Sequence, residues 1–143
     1  MNIKKVEFGL EEARAKKIAI QLGANLDKAW DERDAKALAR LFQENADFQW
    51  ETGQIVRGCD EIEECFASRV FPTLPDTFQH RVIVQQARPI NREVFIGDGE
   101  IEIYDSTESD LQQRVRQKYQ CTTVAVKENN IWFISAVRLM VPN

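Results

Sequence analysis

Histidine occurs once in this chain, at position 80, and cysteine only three times, so there is little material for a metal centre. A zinc site would need two distant cysteines and a carboxylate to converge on His80, and Cys59, Cys65 and Cys121 offer no close ligand pair. Three is also an odd number for a disulfide framework, which fits free thiols in a reducing, cytoplasmic setting. Long apolar runs are missing: none approaches the ~20 residues that span a bilayer. The N-terminal MNIKKVEFGLEEARAKK lacks the uninterrupted apolar core of a secretory signal. Excess positive charge is absent too, the net charge being −4, whereas nucleic acid and anionic membranes both call for a cationic surface. The two basic clusters, at residues 14–17 and 114–118, read as a solvated helix face and the outward side of a strand. No repeat, low-complexity segment or linker interrupts the chain. No metal, cofactor, nucleic acid or membrane is therefore expected.

What is present suits one folded domain over residues 1–143. The composition, 43% hydrophobic and 29% charged, is ordinary for a globular chain, and the length suffices to bury roughly two-thirds of the unfolded surface. From about residue 10 to residue 30, Ile18, Leu22, Leu26, Ala29 and Trp30 recur at helical spacing on one face. Gly23 within this long helix marks close packing or a bend. Asp31 or Asp34 can cap a second, short helix over residues 35–42. Residues 46–51 alternate, with Phe48 and Trp50 on one side, as in a half-buried strand. A turn at Gly53 leads to residues 55–57, and Gly58 opens a third helix presenting Ile62, Cys65 and Phe66. Its first turns carry Asp60 and Glu61, matched to the positive end of the helix dipole. Pro72 and Pro75 end that helix.

Four strands follow, over residues 77–88, 93–104, 112–127 and 131–141. Gly97 and Gly99 predict a bulge or bend in the second of these. Asn129-Asn130 suits a two-residue hairpin, since asparagine tolerates positive φ. Regular pairing across that hairpin sets Lys127 opposite Trp132, Ala125 opposite Ile134 and Thr123 opposite Ala136. One face then carries Tyr119, Cys121, Thr123, Ala125, Trp132, Ile134 and Ala136. The other carries Val124, Val126, Phe133, Val137 and Leu139. Both faces are apolar, and helices can cover only one, so the other is expected to meet a second copy of the chain.

This order is α+β, a curved antiparallel sheet with N-terminal helices packed on its concave face. Several residues carry a resemblance in sequence: Trp30, then Arg33-Asp34-Ala35 before Leu38-Ala39-Arg40-Leu41-Phe42, and Asn45-Ala46-Asp47-Phe48. Gly53, Gly58 and Ile62 continue it, and His80, Ile131-Trp132-Phe133-Ile134 and Val141-Pro142 complete it. Over roughly residues 15–142 the chain resembles the SnoaL-like branch of the nuclear transport factor two-like superfamily, whose members share a cystatin-like α+β cone. The resemblance implies a cone-shaped pocket for a small ligand, used in some branches for isomerase, cyclase or dehydratase chemistry. A fold alone does not specify a reaction. The steroid isomerase branch uses an aspartate late in its first strand as proton shuttle, with a tyrosine and a protonated aspartate as oxyanion hole. Here the comparable position holds Trp50, or Glu51 if the register slips by one, and by alternation Glu51 points away from Phe48 and Trp50.

His80 is the foremost candidate acid or base. A bulge residue near Gly97–Gly99 would set Glu102 across from it to orient the ring, and Tyr119 could assist. Tyr119 and Arg69 near one mouth would suit a carboxylate or carbonyl. Trp30, Phe48, Trp50, Phe66 and Trp132 could wall an apolar pocket or simply fill it. Three readings follow: a homodimeric binder of a small, mostly apolar molecule; an isomerase, dehydratase or cyclase using His80 with Glu102 or Tyr119; and a module with a filled cone that works only through dimer or partner contacts.

Overall fold

The computed structural model describes residues 3–142, with side chains described from residue 11 onward. Residues 1, 2 and 143, included in the domain reading above, lie outside the described residues. Helix α1 runs Ile3–Asp31 and helix α2 Ala35–Ala39. Strands β1 (Phe42–Gln49) and β2 (Ile55–Arg57) form the first hairpin, and helix α3 (Cys59–Cys65) follows. α3 then widens into a π-helical turn at Phe66–Val70 and tightens into a 3₁₀ turn at Phe71–Thr73. Strands β3 (Phe78–Asn91) and β4 (Val94–Asp105), the one-turn helix α4 (Leu111–Arg114), and strands β5 (Val115–Glu128) and β6 (Ile131–Met140) complete the chain.

The six strands form one sheet in the order β2-β1-β6-β5-β4-β3. The sheet is antiparallel throughout except where β1 runs parallel to β6, a long-range pairing that local pattern does not disclose. The second helix is shorter than expected and β1 starts earlier, with Phe42 as its first residue rather than the last of α2. Asp34 caps α2, its Oδ1 accepting from Ala37 N at 2.9 Å. Asp34→Ala should lower stability by about 1 kcal/mol, read as a shift in urea midpoint at unchanged slope.

Helix α1 packs closely on β3. A Cβ at Gly23 would lie only 3.0 Å from Val82 Cγ1, so this glycine marks close packing. Arg33, at φ 57°, turns back from the helix end. Its guanidinium lies 4.6 Å from the Trp30 ring centroid and donates to the carbonyls of Trp30, Pro75 and Phe78. The arginine thus fastens the end of α1 to the beginning of β3.

Two register shifts correct the side-chain faces expected from simple alternation. In β6, Ala125 pairs with Ile134 but Val124 already pairs with Ala136, which leaves Ser135 as the extra residue of a bulge. Beyond it the faces exchange. Thr123 lies opposite Val137, not Ala136, and Cys121 opposite Leu139. Val137 and Leu139 are consequently buried with Ala125 and Ile134 on the concave side, while Ala136 joins Val124, Val126 and Phe133 on the convex side. The second shift lies in β3, where Val84 pairs with Gly99 and Gln86 with Asp98, so Gln85 is the extra residue. Gly97 and Gly99 do not bulge, and β4 pairs with β5 without interruption from Val94 to Ile103.

Candidate functional site

Between the concave face and the helices lies a cavity of about 250 Å³. The sheet wall can be read as rows, because strand register sets which side chains stand beside one another. His80, Ile103 and Gln117 form the first row across β3, β4 and β5, and Val82, Ile101 and Tyr119 the second. Val84, Gly99, Cys121 and Leu139 make the third. Thr123 and Val137, then Phe95, Ala125 and Ile134, close the far end. Leu22, Leu26 and Trp30 of α1 roof one side, and Phe48, Trp50 and Phe66 the other. Phe48, Trp50 and Phe66 touch mutually, with ring centroids 4.8–5.9 Å apart. Arg69 and Thr73, both exposed, and the exposed Gln117 line the mouth. The interior is open, not plugged, and its histidine, glutamine and tyrosine stand in the first two rows.

His80 is buried, with 7% of its surface exposed. Its Nδ1 lies 2.8 Å from Asp27 Oδ1, and the same oxygen accepts from Val82 N at 3.1 Å. One helical turn further, Asp31 Oδ1 accepts from His80 N at 2.9 Å. Burial against the sheet pushes the Asp31 carboxyl above its ordinary range, with the hydrogen bond from His80 N and nearby charges acting in part against this. Two carboxylates of α1 thereby take up outward N–H groups of an edge strand, which would otherwise lie unpaired near the core. The His80 ring is tilted 32° to that of Trp30 at 5.2 Å between centroids. Sequence reasoning missed Asp27, because periodicity assigns a lone acid to the wet side of a helix. The available signal was the stripe Gly23, Asp27, Asp31 at i, i+4, i+8, alongside buried Trp30.

Of the residues singled out in the sequence, Trp30, Phe48, Trp50, Phe66, Arg69, His80 and Tyr119 all line the cavity. Trp132 does not. It packs on Phe95 at 5.1 Å between centroids, beyond the cavity's far end. Glu102 is not the partner of His80. Since β4 carries no bulge, strict alternation puts Glu102 beside Arg81 on the convex side, where it forms an ion pair with that residue. Tyr119 donates to Gln117 Oε1 at 3.1 Å. Burial, and then Glu51 nearby, push its phenol upward, so it stays neutral. Burial likewise pushes the Cys121 thiol up, away from the thiolate a nucleophile would require. Among the described residues no group of three or more His, Cys, Asp or Glu side chains converges as a metal site.

These features define a class: an α+β cone with an open, mostly apolar interior and a histidine–carboxylate pair in its wall. Solved structures show the same fold. A domain of unknown function with a cystatin-like fold from Nostoc punctiforme superposes with a TM-score of 0.77 at 17% identity, over 91% of this chain and 78% of that one. An NTF2-like protein with a cystatin-like fold from Novosphingobium aromaticivorans gives 0.76 at 12% identity, over 99% and 91%. Aln2 from a Streptomyces species gives 0.69 at 14%, over 85% and 86%. The chain therefore has a cystatin-like fold. No protein-family model matches the chain, and no curated protein matches it in sequence. Among the described residues no helix is long and apolar enough to cross a membrane.

Proposed function

We propose that this chain binds a small, mostly apolar molecule in the concave cavity. The observation that carries the reading is the 250 Å³ of open space, walled largely by Leu, Ile, Val and aromatic side chains. An apolar cavity of about 150 Å³ already holds benzene, so the fitting ligand is a substituted single ring or a compact bicycle. Ethylbenzene, as a surrogate, should bind with a dissociation constant on the order of 1 mM and perturb the fluorescence of Trp30 and Trp50. No change in either calorimetry or fluorescence up to saturation would count against the cavity as a binding site.

A second reading has one observation in its favour, the 2.8 Å pairing of His80 with Asp27. A ring so held can take a proton from a bound substrate, as general bases do, in an isomerisation or dehydration, with Tyr119 lining the same cavity. Native mass spectrometry of the freshly purified protein would identify a retained molecule. With that molecule in hand, His80→Ala should abolish turnover while weakening binding only severalfold if the site is catalytic.

We further propose a homodimer through the convex face, in a reducing, cytoplasmic compartment that suits three free cysteines. Ile96, Val124, Val126, Phe133 and Ala136 are half-buried there in the single chain. At one end this apolar patch gives way to the Asp98–Thr122 hydrogen bond and, beyond it, the Lys118–Glu100 and Arg81–Glu102 ion pairs, a polar border like that of an interface. Light scattering should give twice the 16.5 kDa chain mass, and Phe133→Glu should return the value to one chain. A single-chain mass for the unaltered protein would exclude this arrangement.

A further inference from the structure

The donor and acceptor arithmetic around His80 constrains the ligand further, on the reading that the cavity is a binding site. A carboxylate offers acceptors only. Asp27 Oδ1 already receives Val82 N–H, and it faces His80 Nδ1 at 2.8 Å. In the neutral ring Nδ1 therefore carries the hydrogen, and Nε2 presents a bare lone pair. The tautomer is set from outside the cavity, by helix α1, before any ligand arrives. No side chain or backbone group of the described residues hydrogen-bonds to Nε2, and His80 is part of the cavity wall. Tyr119, which also lines the cavity, has its hydroxyl hydrogen directed at Gln117 Oε1, which leaves its oxygen able only to accept. Behind these two rows the wall is nearly all apolar.

We propose that the cavity selects a ligand bearing a hydrogen-bond donor, a hydroxyl or N–H, which it delivers to Nε2 of His80 while an apolar body extends toward Ala125 and Ile134. At Nε2 itself, a ligand whose only polar atom is a carbonyl or ether oxygen would set lone pair against lone pair, and a pure hydrocarbon would leave Nε2 unpaired. Buried groups left without partners are what make such sites discriminating.

Matched probes test this: 4-ethylphenol, 4-ethylanisole and ethylbenzene, of nearly equal shape, titrated by calorimetry. The phenol should bind at least fivefold tighter than ethylbenzene, and the anisole no tighter than the hydrocarbon. In His80→Phe the phenol should lose its advantage while ethylbenzene still binds. Because the chain contains one histidine, a long-range ¹H–¹⁵N spectrum reads the tautomer of His80 directly, with or without ligand. It should show Nδ1 protonated and Nε2 bare. Equal affinities for phenol and hydrocarbon, a preference for the anisole, or protonated Nε2 in the neutral ring would overturn the inference and leave the cavity reading standing. Failure of all three probes to bind would remove both.

Discussion

Gly99→Ala is expected to destabilise the protein by about 3 kcal/mol, at the upper end of overpacking costs. An ideal Cβ at this position would stand 2.3 Å from the carbonyl oxygen of Ile83, and 3.2 and 3.3 Å from Ile83 C and Val84 Cα. These are backbone atoms of the neighbouring strand, so no rotamer change relieves the clash. Only a retreat of β3 from β4 does, and this happens beside the Gln85 bulge that bends the sheet over the cavity. For a chain of this size the loss corresponds to roughly 6–12 °C in melting temperature. Gly97→Ala is the internal control. Its Cβ would meet Phe95 Cε1 at 3.8 Å and Gln86 O at 3.9 Å, ordinary contacts, and its cost should stay below about 1 kcal/mol. If the two variants melt together, the close β3–β4 approach is wrong.

Gly97→Leu should have the largest effect on binding. Gly97 is buried in the cavity wall, and a Cβ there meets only those two ordinary contacts before the cavity opens. A leucine side chain would extend into space a ligand needs, and it would be buried among apolar groups, so stability should hold or rise. Ethylbenzene affinity should fall at least tenfold, a difference of about 1.4 kcal/mol, with an unchanged urea midpoint or a higher one. Binding unchanged in a folded Gly97→Leu protein would move the site elsewhere.

Much of this was legible in the sequence because it rests on local pattern. Helical spacing placed α1, alternation placed Phe48 of β1 and Trp50 just after it on one side, and Asn129-Asn130 marked the last hairpin, where both residues indeed have positive φ. The aromatic residues that line the cavity follow from that pattern plus the cone. What stayed hidden depends on register. Nothing about Ser135, between Ile134 and Ala136, announces an extra residue, yet it exchanges the faces of everything after it and brings Val137 and Leu139 inward. Gly97 and Gly99 did signal a bend, but the extra residue is in the partner strand at Gln85, the glycine serving to admit the neighbour's backbone. For that reason Glu102 keeps its alternation and faces away from His80. Asp27 was hidden for another reason, since its partner lies 53 positions away and only tertiary packing brings them together.

The account's central claim is that the hollow side of the sheet, and not its outer side, receives the ligand. Intermolecular nuclear Overhauser effects between ethylbenzene and the protein's methyl groups measure this most directly. The prediction is cross-peaks to Ala125, Ile134 and Val137, and none to Val124 or Val126. Cross-peaks confined to Val124 and Val126 would mean that the probe merely coats the convex face, and the account would be contradicted.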